Sequence, residues 1–242
     1  MMKRCLIIEA GPTPEELIER HGDYPVMIER WLAPVVPDVI FTRNRRYAGE
    51  PLPMLSDLDA VIISGSRFSV CDEEIWMLEL EEYVRSLFEM DKPTFGICFG
   101  HQIIAKALGG TVEQSDQGWG LGVTRYDLNP DTSGLAGNIH ARAVHQDQIV
   151  ALPEQAQVLG GNEHCPFAIL EYDQSPFASV QFHPEFTPEY LRDLLPVLND
   201  RGVPSTSIEA AGEDLETACD DKAVARWAAS TLFPSRGEGI AR

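Results

Sequence analysis

Lys92-Pro93-Thr94-Phe95-Gly96-Ile97-Cys98-Phe99-Gly100-His101-Gln102-Ile103-Ile104-Ala105 is the stretch that decides how this chain is read. Its apolar run, Thr94 to Ile97, reads as a buried strand that passes through Gly96-x-Cys98-x-Gly100 straight into a helix. The helical pattern continues to Leu108 and stops at Gly109-Gly110. This is a nucleophile elbow with cysteine in place of serine. A turn from strand directly into helix strains the backbone of the central residue, and flanking glycines remove the clashes. The thiol of Cys98 then stands at a helix N-terminus, where the dipole favours the thiolate, the nucleophilic form. The next backbone N–H, that of Phe99, is left to receive an oxyanion. Dinucleotide-binding turns share the layout but space their glycines as G-x-G-x-x-G, which this segment lacks. Taken alone, the elbow also fits a buried cysteine in a tight turn.

Outward from the elbow, short β-branched runs alternate with helical patterns. Cys5 to Ile8, Val39 to Phe41 and Ala60 to Ile63 read as buried strands preceding Thr94 to Ile97. A helix is expected over Asp72 to Met90, with Ile75, Leu78, Tyr83, Leu87 and Phe88 as its apolar stripe. Asp72, Glu73 and Glu74 are expected in its first turn, where acids complement the dipole. Strands separated by helices imply parallel pairing and an α/β fold covered on both faces. After Gly110 the texture changes. Gly122 to Tyr126, Ala141 to Val144, Phe167 to Tyr172 and Ser179 to Phe182 read as strands of an antiparallel or mixed portion. Two helices are expected at the end, Pro188 to Leu198 and Asp221 to Phe233, joined by an acidic surface connection over residues 201–220. The expected organisation is a single domain over residues 1–242, with its core at about 5–195 and a helical tail at about 200–242.

A thiolate needs a base. Ser179 to Phe182 is followed by His183-Pro184-Glu185. In extended chain, residues two apart face the same side, so His183 and Glu185 can point together. Glu185 would hold one imidazole nitrogen, leaving the other to take the Cys98 proton. Both motifs fall at the C-terminal ends of expected strands, the edge where open α/β sheets gather their ligands.

Composition narrows the partners. The 242 residues carry 19 Lys+Arg against 38 Asp+Glu, a net charge of −19. Such a field repels phosphate backbones and anionic membrane surfaces, so neither nucleic acid nor a membrane is an expected partner. No apolar run approaches the ~18 residues of a membrane span. Five cysteines without a CxxC pair suit a reducing, cytoplasmic setting and argue against disulfides and structural zinc. His21, His140 and His164 show no metal-ligand spacing. Cys5 is expected in the core. The basic cluster Thr42 to Arg46 reads as a solvated loop, and Trp119 lies either near a site mouth or in packing.

Gly96-Ile97-Cys98-Phe99-Gly100-His101-Gln102, with His183-Pro184-Glu185 downstream at a fitting separation, resembles the class I, triad-type glutamine amidotransferase family over roughly residues 5 to 195. The resemblance implies a flavodoxin-like α/β fold: an open, mostly parallel sheet with helices on both faces and a small antiparallel portion. It implies hydrolysis of the glutamine side-chain amide through a γ-glutamyl thioester on Cys98, with no cofactor and no metal. L-glutamine or another γ-glutamyl compound is the implied substrate, and a separate synthase is the implied partner for the released ammonia. His183 and Glu185 are then the catalytic base and its orienter. Gly65, after the strand Ala60 to Ile63, and Phe99 supply the oxyanion N–H groups. Gln102 stands where the family binds glutamine. Val144-His145-Gln146-Asp147 resembles a segment whose main chain binds the substrate's α-amino and carboxylate groups, here assigned to Val144, Gln146 and Asp147, with His145 packing the loop.

The chain departs from the family pattern where Gly65 is followed by Ser66-Arg67 instead of glycine and proline. With Trp76, this resembles the GMP-synthase-like, stand-alone branch that includes γ-glutamyl peptidases. A stand-alone γ-glutamyl hydrolase is therefore the alternative reading. A catalytically silent binding module is disfavoured by the intact Cys-His-Glu set.

Overall fold

Strand β1 (Lys3–Glu9) is buried on both faces from Cys5 onward, which is what an uninterrupted apolar run in a covered sheet requires. The computed structural model describes residues 2–130, 134–173 and 175–234. After β1 come α1 (Glu15–His21), α2 (Tyr24–Leu32), β2 (Val39–Arg45), β3 (Ala60–Ile63), α3 (Ile75–Glu89), β4 (Thr94–Ile97) and α4 (Phe99–Ala107). The second half adds β5 (Thr111–Gln114), β6 (Gly120–Leu128), β7 (Asn138–His145), β8 (Asp147–Ala151), β9 (Ala156–Gly161), β10 (Ile169–Tyr172) and β11 (Phe177–Val180). Three helices close the described chain: α5 (Pro188–Asp200), α6 (Ser205–Glu213) and α7 (Asp221–Leu232).

The main sheet has nine strands in the order β2-β1-β3-β4-β11-β10-β9-β6-β7. The first five pair in parallel and the remaining junctions are antiparallel, so the expected α/β sheet with its antiparallel portion is what forms. Alternation along β1 divides the core. Cys5 and Ile7 pack with Ile28, Leu32 and Trp227 of α2 and α7, while Leu6 and Ile8 pack with Met77, Leu80 and Ile103 of α3 and α4. Each such fully buried side chain contributes about 1.5–3 kcal/mol relative to an exposed one. Cys5 is fully buried, as expected.

Several boundaries differ from the sequence expectation. Helix α3 starts at Ile75, not Asp72, because Val70–Asp72 forms a 3-10 turn capped by Ser69 and Glu73 takes φ 51°. The acids therefore precede the helix. Its buried face is Met77, Leu80, Glu81, Val84 and Leu87, whereas Ile75 and Leu78 are 78% and 46% exposed. Residues 201–220 hold α6, whose Ala211 packs with Leu191, Leu195 and Leu215. Strand β11 ends at Val180 instead of Phe182. The basic cluster is the end of edge strand β2 and a short turn, not a loop. Arg43 pairs with Asp23 at 3.1 Å, Arg45 with Glu50 at 2.6 Å and buried Arg46 with Glu79. Charges along an edge also oppose pairing with another strand. No helix among the described residues is long and apolar enough to cross a membrane.

Candidate active site

Cys98 sits between β4 and α4 with φ 51° and ψ −100°, outside the regions that L-residues favour. The flanking glycines make this turn sterically feasible. A Cβ on Gly96 would lie 2.6 Å from the main chain of Gly100, and one on Gly100 would lie 2.2 Å from the Ile63 carbonyl oxygen. Without side chains there, strand and helix approach each other and β3 closely enough for three backbone bonds. Cys98 N–H donates to Val180 O at 2.8 Å, Gly100 N–H to Ser64 O at 3.2 Å and Ser64 N–H to Ile8 O at 3.0 Å. The strained residue is thus held by β11, β3 and β1 together, which is how such strain persists.

Parallel pairing of β11 with β4 delivers the next residues beyond β11 to the sulfur. The Gln181 amide donates to Cys98 Sγ at 3.6 Å. His183 follows in a turn, and its Nδ1–H donates to Glu185 Oε1 at 2.8 Å. The two side chains meet because of that turn; strand alternation, the sequence argument for the pair, has already ended at Val180. The other side of the ring hydrogen-bonds the Cys98 sulfur. Burial by itself drives the His183 pKa down. The Glu185 carboxylate, the Cys98 sulfur and hydrogen bonds to both outweigh it and raise the pKa to about 10. The ring stacks flat on Phe186, with centroids 4.0 Å apart, and Phe186 in turn stacks on Tyr24 at 6.0 Å.

Gly65 lies against this pair. A Cβ there would be 2.6 Å from His183 Cε1 and 3.6 Å from Cys98 Cβ. Phe99, the first residue of α4, has no acceptor within its own helix. Among the described residues neither the Gly65 nor the Phe99 N–H has a hydrogen-bond partner. Phe99 is backed by Trp76, whose ring stacks at 5.7 Å. Cys98, Phe99, Gln102, Val144, Gln146 and Asp147 line one cavity of about 340 Å³ together with His183, a size that suits a small ligand. A larger groove beside Arg46 and Trp76 shares none of these residues.

The cavity wall is tied together by polar contacts. The Gln102 amide donates to Asp147 O at 2.7 Å and to Gln181 Oε1 at 3.1 Å. The Asp147 carboxylate accepts from the Ser69 hydroxyl. His145 is buried beside His164, which drives its pKa down to about 3, and its Nδ1–H donates to Asp147 O at 3.2 Å. A neutral ring that braces the loop agrees with the packing role expected for it. His101 is likewise buried and neutral, its pKa lowered to about 3, with Ser179 Oγ 2.8 Å from its Nδ1. Trp119 lines the cavity, as its motif allowed.

A family model described as glutamine amidotransferase class-I matches residues 21–195. The chain belongs to the class I glutamine amidotransferase family. Gamma-glutamyl peptidase 3 of Arabidopsis thaliana is 30% identical to it, over 69% of this chain and 71% of that protein. A glutamine-hydrolysing GMP synthase component from Sulfurisphaera tokodaii is 30% identical over 56% of this chain and 72% of its own. A glutamine amidotransferase structure from Thermotoga maritima shares the fold, with a TM-score of 0.73 at 18% identity, covering 97% of this chain and all of that one (100%).

In this family member, sequence reading missed Gln181, Ser69, Tyr24 and Arg142. Arg142, on β7, is 3% exposed. Its carbonyl accepts from His183 N–H at 2.8 Å, and its Nη1 donates to Phe186 O at 2.9 Å and to Asp221 Oδ2 at 2.7 Å. One side chain thereby fastens both the His183–Phe186 turn and α7. Arg142→Met removes the Nη1 donor that makes both contacts. It is expected to lower kcat about tenfold with little change in KM in the hydrolysis proposed below, a fraction of the loss from an ångström-scale displacement of a reacting group. An unchanged kcat would remove Arg142 from positioning the turn.

Proposed function

We propose that the protein hydrolyses γ-glutamyl amides through a thioester on Cys98. The observation that supports this reading is the buried Cys98–His183–Glu185 contact chain, with its raised His183 pKa, whose Cys98 and His183 line the cavity of about 340 Å³. The Cys98 sulfur gives its proton to His183 and attacks the γ-carbonyl carbon. The Gly65 and Phe99 N–H groups receive the oxyanion, each worth about 3–4 kcal/mol in comparable sites. The C–N bond then breaks and His183 returns its proton to the departing nitrogen. Water, deprotonated by His183, attacks the thioester, releasing glutamate and regenerating the thiol. Gln102 and the main chain of Val144, Gln146 and Asp147 hold the glutamyl end.

Glutamine is the smallest such amide, and with it the released ammonia would pass to a separate synthase. The second reading is a stand-alone hydrolase of larger γ-glutamyl compounds. The cavity supports that reading, since its lining includes Tyr24, Leu194 and Leu198 in addition to the residues assigned to the glutamyl end. The deciding experiment offers the purified chain glutamine or glutathione, with Cys98→Ala as control. Glutamate release that survives in Cys98→Ala would sink both readings. Preferential cleavage of glutathione would select the stand-alone hydrolase.

Glu185→Gln removes the charge that does most to raise the His183 pKa. Turnover is expected to fall about 10²–10⁴-fold, the range of a lost general acid–base contribution. The sign of the pH effect follows from the imidazolium, which must be present to protonate the departing nitrogen. In the native protein it persists toward pH 10, so the alkaline limb of kcat/KM lies high. In the variant that limb moves down toward the ordinary imidazole value of about 6.5. A limb that stays in place would mean another group holds the ring protonated.

A further inference from the structure

The cavity that holds Cys98 has cationic groups in its wall. Its lining includes Tyr24, Phe186, Leu194 and two arginines, Arg67 and Arg201. Elsewhere in this chain of net charge −19, many arginines find carboxylates: Arg20 with Asp193, Arg43 with Asp23, Arg45 with Glu50 and Arg142 with Asp221. Among the described residues neither Arg67 nor Arg201 meets one. Arg67, two residues beyond Gly65, lies over the Phe68 ring at 5.1 Å. Arg201 caps the C-terminal end of α5 and acts electrostatically on Tyr24 and Tyr190. The one carboxylate lining the cavity, Asp147, is taken by Ser69.

The glutamyl end is assigned to Gln102, Val144, Gln146 and Asp147, so these two arginines are the cavity-lining cations left for the rest of the substrate, the departing amine. A strongly acidic protein repels anions at long range, so admitting one takes a local cationic mouth. Two guanidinium forks suit a carboxylate.

We propose that Arg67 and Arg201 form a carboxylate-binding subsite for the leaving amine. The substrate class is then γ-glutamyl derivatives of amino acids or peptides with a free carboxylate near the scissile amide. This rests on the hydrolase reading above. A charge-assisted contact of this kind is worth about 10- to 100-fold in kcat/KM.

The test compares kcat/KM for γ-glutamylglycine, its neutral counterpart γ-glutamylglycinamide, and glutamine, using the full chain. The two dipeptides share the glutamyl part and the same enzyme preparation, so their ratio is insensitive to partial unfolding of a variant. The native enzyme is expected to favour the acid over the amide by about 10- to 100-fold. R67Q and R201Q should each shrink that ratio, and the double variant should bring it near one. Added salt should compress the native ratio too. Turnover of glutamine with an acid-to-amide ratio near one overturns the subsite and leaves the hydrolase reading standing. A ratio unchanged in the double variant overturns it as well. No turnover of any of the three compounds overturns the hydrolase reading and the subsite with it.

Discussion

Cys98→Ala is expected to abolish glutamate release while the protein stays folded. Removing the nucleophile from a triad hydrolase costs on the order of 10⁶ in kcat, and an alanine side chain offers no attacking atom in its place. Circular dichroism and steady-state kinetics on one preparation check both halves of this expectation. Retained turnover would take Cys98 out of the chemistry altogether. A companion variant isolates the strain at this residue. With φ 51° and ψ −100°, position 98 suits glycine far better than any residue bearing a Cβ. Cys98→Gly should therefore be as inactive as Cys98→Ala yet more stable than it, by about 1–2 kcal/mol. That is roughly 2–8 °C in Tm for a chain of this size. Equal melting temperatures for the two inactive variants would mean that the elbow stores no strain.

Gly65→Ala is expected to cost about 10²–10³ in kcat, the scale of a misplaced catalytic group or a lost oxyanion donor. The added Cβ would fall 2.6 Å from His183 Cε1, closer than real contacts allow. The ring has little room to retreat, since Phe186 lies flat against it at 4.0 Å and Glu185 holds Nδ1. The residues proposed to hold the glutamyl end are untouched, so KM should change little. The split between kcat and KM in steady-state kinetics is the measurement. A fall in kcat of less than about threefold, within ordinary variation for a surface site, would show that the ring yields and that Gly65 does not crowd the reacting atoms.

The features readable in one dimension are those whose physics is local. Strain at Cys98 and relief by Gly96 and Gly100 need only consecutive residues, so the elbow stands out in the sequence. His183-Pro184-Glu185 is equally compact, although a turn and not an extended strand brings its side chains together. The parallel strands β1, β3 and β4 were visible as apolar runs because both of their faces are buried, whereas β2, also read as buried, is an edge strand with Ile40 42% exposed. The face of α3 was not. Its apolar residues lie on two sides, and periodicity alone could not tell exposed Ile75 and Leu78 from buried Met77 and Leu80. The helix α6 was hidden in the same way, with a stripe as thin as Ile208 and Ala211 inside an acidic, Gly- and Ser-rich stretch.

The sequence by itself determined the elbow that holds Cys98, the His183-Pro184-Glu185 motif, the acidic balance and the α/β class, because each depends on residue type and short-range order. Only the tertiary structure decided what surrounds the sulfur. Gln181 reaches Cys98 across 83 residues because β11 inserts beside β4. Arg142 fastens the His183 turn from β7, and Tyr24 extends the aromatic stack from α2. Charge pairing is decided the same way. Arg43, Arg45 and Arg46 look like a free basic cluster in the sequence and are neutralised in the fold, while Arg67 and Arg201 are left facing the cavity. Coulomb energy depends on separation in space, and sheet order, not position along the chain, sets those separations.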